Sequence, residues 1–141
     1  MAEQNFHEIN KNLPITPPPI GVLPIIQKFV SVYKLWSEIK IHFPKTSRYT
    51  LGAKIDGYFL ETIEVLFIAS YLSKQEKIPY LKKASVKLDL LKFFLQIAWE
   101  SKSLEKKQYI VLSVPLNEIG KMLGGWIKGI QKETPANDGR K

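Results

Sequence analysis

The sequence predicts an all-α protein, an antiparallel up-down four-helix bundle. Four long segments carry apolar residues at alternating steps of four and three, the seam of a packed helix. The connections between those segments are short, which makes consecutive helices antiparallel neighbours. No stretch alternates with period two for long enough to form a strand.

The first helix is expected over about residues 23–42, with Ile25, Phe29, Val32, Trp36, Ile39 and Phe43 on its seam and Pro24 tolerated in its first turn. The second is expected over about 47–73, with Leu51, Ile55, Tyr58, Thr62, Val65, Ala69 and Leu72 facing inward. The third, about 79–101, presents Leu81, Ala84, Leu88, Leu91, Leu95 and Ala98. The fourth, about 104–131, presents Tyr109, Leu112, Leu116, Ile119, Leu123, Trp126 and Ile130. The connections fall near Pro44, near Lys74-Gln75-Glu76 and near Lys102-Ser103. Residues 1–21, with Pro14, Pro17, Pro18 and Pro19, read as a flexible tail, 22–132 as the bundle, and 133–141 as a second flexible tail.

Two features strain the fourth helix. Pro115 removes one backbone hydrogen bond, and a kink is expected because the seam stays in phase across it. Gly120, Gly124 and Gly125 each weaken a helix by up to ~1 kcal/mol relative to Ala. Close approach of a neighbouring helix at these glycines, anchored by Trp126, would offset that; the alternative is a helix ending near Lys121. Extra apolar residues on helices one and three, among them Ile26, Tyr33, Leu90, Phe93 and Phe94, fit either a wider core or a contact between subunits.

A chain of 141 residues is one domain by size. It has no Cys, so disulfides, thiolate metal sites and Cys nucleophiles are excluded. The two His, His7 and His42, lie far apart; His42 reads as a helix-capping residue. Glu61 and Glu64 share a helix face, but no His follows at the spacing a di-iron bundle needs. No phosphate-binding Gly loop or nucleophile motif occurs. The expectation is therefore no enzyme, no metal and no cofactor. No apolar run is long enough to span a membrane, and the N-terminus lacks the pattern of a signal peptide, which points to the cytoplasm.

Charge is the remaining signal. The chain carries 21 basic and 13 acidic residues, net +8, and all but two of the cations are Lys. Lys77, Lys82, Lys83, Lys87 and Lys92 crowd the third helix, with Asp89 the only acid from Lys77 to Lys92. Lys107, Lys121 and Lys128 fall at multiples of seven on the fourth. Such rows bind phosphate backbones rather than base edges, or simply solvate a surface. The loop from Phe43 to Gly52 adds Lys45 and Arg48 beside the start of helix two, which Thr46 or Ser47 is placed to cap. Cations at a helix N-terminus oppose its dipole, so an anion is invited there, although local chemistry alone favours an ordinary solvated turn.

The same loop, Phe43-Pro44-Lys45-Thr46-Ser47-Arg48-Tyr49-Thr50-Leu51-Gly52, resembles the signature loop of the Avd-like proteins, accessory variability determinants of diversity-generating retroelements. Gln108-Tyr109 and Glu118-Ile119-Gly120-Lys121-Met122-Leu123-Gly124-Gly125-Trp126 resemble that family's last helix, and Leu88-Asp89-Leu90-Leu91-Lys92-Phe93-Phe94 its third. The resemblance implies a homopentameric barrel of four-helix bundles. It further implies binding to a reverse transcriptase and to RNA or DNA, in support of mutagenic cDNA synthesis and without catalysis. It places Lys45, Arg48 and Lys54 at basic family positions around helix two, and Lys92 where the family often carries Arg, with the planar fork lost. Lys83, Lys87 and Lys121 complete the expected contact set. The alternative is an interaction bundle of the type encoded in 23S ribosomal RNA intervening sequences, with no assigned partner.

Overall fold

The computed structural model describes residues 23–133, with the side chain of Leu23 excepted. Both expected tails lie outside the described residues, apart from Glu133, and so does Val22. Helix α1 spans Leu23–Lys40, α2 Ala53–Ala69, α3 Lys74–Glu100 and α4 Lys106–Glu133. A single turn at Lys45–Ser47 and a π-helical turn at Arg48–Gly52 lead into α2. Each helix packs on the next in sequence, and α4 closes the ring against α1. Cross-links run in antiparallel register. Lys74 at the start of α3 reaches Glu133 at the end of α4, while Lys28 in α1 pairs with Glu118 in α4.

The core follows the seams. Every seam residue expected on α1 and α3 is buried. On α4, Leu112, Leu116, Ile119, Leu123 and Ile130 are buried, with Tyr109 and Trp126 half-buried against them. Trp36 lies at 0 % exposure, stacked on Phe59 at 6.0 Å and edge-on to Phe43 at 5.4 Å. A polar knot ties α1 to α2: the Tyr33 hydroxyl, Trp36 Nε1–H and the Lys40 ammonium all donate to Asp56 Oδ1, each at 3.1 Å.

The start of α2 and the second connection depart from the sequence expectation, each for a physical reason. A continuous helix from Ser47 is replaced by the π-helical turn, whose extra residue shifts the phase of what precedes α2. Leu51 is therefore only half-buried, while Gly52 is buried, and a Cβ added there would stand 3.5 Å from the Phe43 ring. The buried face of α2 runs through Ile55, Phe59, Thr62, Val65, Leu66 and Ala69, with Phe59 inside and Tyr58 only half-buried against Phe94. Thr62 satisfies its buried hydroxyl by donating to the Tyr58 carbonyl.

Neither Thr46 nor Ser47 caps α2. The Ser47 hydroxyl lies 3.4 Å from the Pro44 carbonyl and 3.0 Å from Ser103 Oγ, tying the first connection to the third at one end of the bundle.

The second connection is Ser70 to Ser73, not Lys74-Gln75-Glu76, which form the first turn of α3. A capping box sets that start: Ser73 Oγ accepts from the Glu76 N–H, and Glu76 Oε1 accepts from the Ser73 N–H. The Ser73 side-chain bond, then its backbone bond, hold the Glu76 carboxyl below the usual carboxylate range. Pro79 thus lies inside α3, where it lacks an N–H for the Gln75 carbonyl.

At the third connection Lys102 adopts φ 67°, and the Ser103 and Lys102 N–H groups donate to the Ala98 and Trp99 carbonyls. That is a Schellman ending with Lys in the position usually given to Gly. Helix α4 continues through Pro115 and the glycines to Glu133, so an end at Lys121 does not occur.

Candidate nucleic-acid interface

The cations expected to form one set occupy separate places on the bundle. Lys45 is exposed at the α1–α2 connection. Arg48, three residues further along the chain, turns the other way: its Nη2 donates to the Ile41 carbonyl at 3.0 Å and the Phe43 carbonyl at 3.1 Å. The guanidinium therefore sits against the C-terminal end of α1, where the helix dipole favours a cation. That accounts for the apparent conflict of a cation at the start of a helix without invoking an anion.

Lys54 is exposed on α2, with its ammonium 5.4 Å from the centre of the Tyr58 ring. Lys83 and Lys87 on α3 line a shallow cleft with Glu61 and Glu64 of α2, and Lys87 pairs with Glu61 at 2.7 Å. The two acids thus face the α3 lysines. Lys77, half-buried, donates to the Leu72 carbonyl, and burial draws its pKa below the ordinary Lys value.

A further juxtaposition of charge and shape lies between α3 and α4. Two adjoining clefts, of ≈ 300 and ≈ 410 Å³, share Asp89, Lys92 and Asn117. Lys92 Nζ is 3.4 Å from Asn117 Oδ1 and 3.8 Å from Asp89 Oδ1. Gly120 and Lys121 line one end, and Phe93, Gln96 and Tyr109 the other. Helical spacing explains the assembly: Asp89, Lys92 and Gln96 share one face of α3, and Ser113, Asn117 and Gly120 share the facing side of α4. Sequence reasoning named Lys92 and Lys121 but missed Asn117 and Gln96, which only the pairing of the two helices brings into the groove.

The glycines behave differently from one another. A Cβ on Gly120 would stand 3.6 Å from Leu88 and 3.7 Å from Lys92 Nζ, ordinary contact distances. Among the described residues, a Cβ on Gly124 or Gly125 would meet nothing within 4 Å. The close helix approach expected at those two positions is therefore not made among them. Gly125→Ala is expected to raise the stability of the isolated bundle by up to ~1 kcal/mol, through helix propensity alone, as read by chemical denaturation.

Among the described residues no group of three or more His, Asp or Glu is placed to hold a metal ion, and no helix is long and apolar enough to cross a membrane. The family model described as bAvd-like matches residues 23–130, from the first turn of α1 to the last turns of α4. The chain belongs to the bAvd-like family. Neither the curated proteins nor the solved structures hold a match to it. The family is an accessory, non-catalytic one, and membership points to an accessory part in a diversity-generating retroelement. The bAvd-like region takes in the whole described bundle except its last helical residues, so the α3–α4 groove, the Arg48 clamp and the open glycines all lie within it.

Proposed function

We propose that this bAvd-like chain is a non-catalytic scaffold of a diversity-generating retroelement: a basic homopentamer that binds the reverse transcriptase and its RNA or DNA in the cytoplasm and supports mutagenic cDNA synthesis. The observation that carries this reading is the family match over residues 23–130. The net charge of +8 supports it, because a polyanion is the natural partner of such a surface. Lys45, Lys54, Lys83 and Lys121 are exposed and reach phosphates directly, whereas Lys87 and Lys92 first give up partners on the bundle.

Repetition supplies the strength. Each cationic patch is weak alone, and copies of it around a ring add through effective concentration. The outer face of α4, with Val111, Val114 and Met122 exposed beside Gly125, offers apolar surface for contact between copies. The open space at Gly124 and Gly125 then serves a neighbouring subunit, with half-buried Trp126 bracing that end of α4 from within.

Two measurements test this. Native mass is expected to be that of a pentamer; a strict monomer at micromolar concentration overturns the assembly. The triple substitution Lys45→Glu, Lys83→Glu, Lys121→Glu is expected to weaken RNA binding by about tenfold or more. It should also flatten the dependence of affinity on log salt, by about 0.7 for each phosphate of a single strand that is no longer neutralised. Unchanged affinity and slope overturn the nucleic-acid role.

A further inference from the structure

The α3–α4 groove contains a group that phosphate binding does not use. Phe93 is 54 % exposed at the lip of a cleft that also holds Lys92, Gln96 and Asn117. A lone exposed apolar residue is ordinary; an exposed ring beside a cation and two primary amides is a more specific arrangement. The ring is braced through an edge contact to Phe94 at 5.6 Å, and Phe94 in turn lies 5.5 Å from Tyr58, so its orientation is supported by α2 as well as α3. Lys92 is partly neutralised by Asp89, while Lys121 at the far end has no acid paired with it among the described residues.

These groups match three recognition features of a nucleotide. A cation takes the phosphate, an aromatic face takes the base face, and an amide takes the base edge. Base faces are accessible only when the strand is unpaired, because a duplex hides them in its own stack. We infer that Phe93 stacks an unpaired base of single-stranded RNA or DNA, with Asn117 or Gln96 at the base edge and Lys121 on a flanking phosphate. This rests on the proposed nucleic-acid role and specifies the form of nucleic acid bound and how it is held. The groove thereby selects single strands over duplexes, since every unpaired base has a face to stack and a duplex hides it.

The test uses the full chain in its native assembly with three labelled probes: a single-stranded RNA, the same strand with abasic residues replacing its bases, and the duplex formed by that strand. Wild type is expected to prefer the intact single strand over the abasic one, although both carry the same phosphates. Phe93→Ala is expected to weaken the intact strand by about tenfold, leaving the other two probes and the salt slope unchanged. Phe93→Trp is expected to restore the preference.

Equal loss on all three probes, or loss on none, overturns stacking; the phosphate-binding role stands in that case if the abasic strand still binds wild type. A wild type that binds none of the probes overturns the role itself. A native mass altered by Phe93→Ala makes the ring a contact between copies and overturns the stacking.

Discussion

Trp36→Ala is expected to destabilise the bundle by about 4 kcal/mol, within the range for deleting a fully buried aromatic. Trp36 has no exposed surface, stacks on Phe59 and meets the edge of Phe43, so its removal opens the middle of the core where α1, α2 and the first connection converge. A second loss adds to the first: Asp56 Oδ1 gives up one of three donors and keeps the Tyr33 hydroxyl and the Lys40 ammonium. The Asp56 side chain is 22 % exposed, so water takes the vacated position and this second loss stays small.

Trp36→Phe separates the two contributions. It keeps much of the ring contact but loses the N–H and the rest of the buried indole, so about 1–2 kcal/mol is expected, chiefly from the space left behind. Denaturant unfolding of the three proteins should rank wild type above Trp36→Phe above Trp36→Ala. Equal loss in both variants would show that the hydrogen bond, not the packing, dominates.

Arg48→Ala is expected to cost about 2 kcal/mol and to leave nucleic-acid affinity and its salt slope unchanged. The side chain makes two charge-assisted hydrogen bonds to the Ile41 and Phe43 carbonyls, which follow the last turn of α1. They close the end of α1 and set the course of the chain into the π-helical turn. Against this stands the buried Arg48 Nε, which has no hydrogen-bond partner among the described residues and offsets part of the gain. Arg48→Lys keeps the charge but not the fork, and an intermediate loss is expected. Lys45→Glu, at the exposed neighbour, should give the opposite pattern: unchanged melting and weaker RNA binding. Normal melting with weakened binding in Arg48→Ala would make Arg48 a ligand contact instead.

The core of α1 and α3 was legible from the sequence because those helices keep one phase from end to end. Helix α2 was legible only after its start. The π-helical turn at Arg48–Gly52 inserts a residue that a fixed helical period does not accommodate, which takes Leu51 out of the core, while Phe59 and Leu66 were missed because the buried face of α2 is wider than a single seam. The start of α3 is written in the sequence as the capping box Ser73-x-x-Glu76, while the expected start at about residue 79 fell at Pro79, one turn inside the helix. The candidate surface was legible as a list of lysines and not as an arrangement. Lys87 answers Glu61 from another helix, and Arg48 answers carbonyls behind it in the chain.

Composition and periodicity by themselves determined a four-helix bundle of strongly basic character, free of Cys chemistry, since these depend only on which residues are present and how they repeat. The tertiary structure alone decided which cations remain exposed, which glycines face a neighbour and which side chains share a groove. Those properties depend on the rotation and register of one helix against another. That register is set by side chains such as Trp36 and Asp56, which meet across distances in the chain that no local pattern spans.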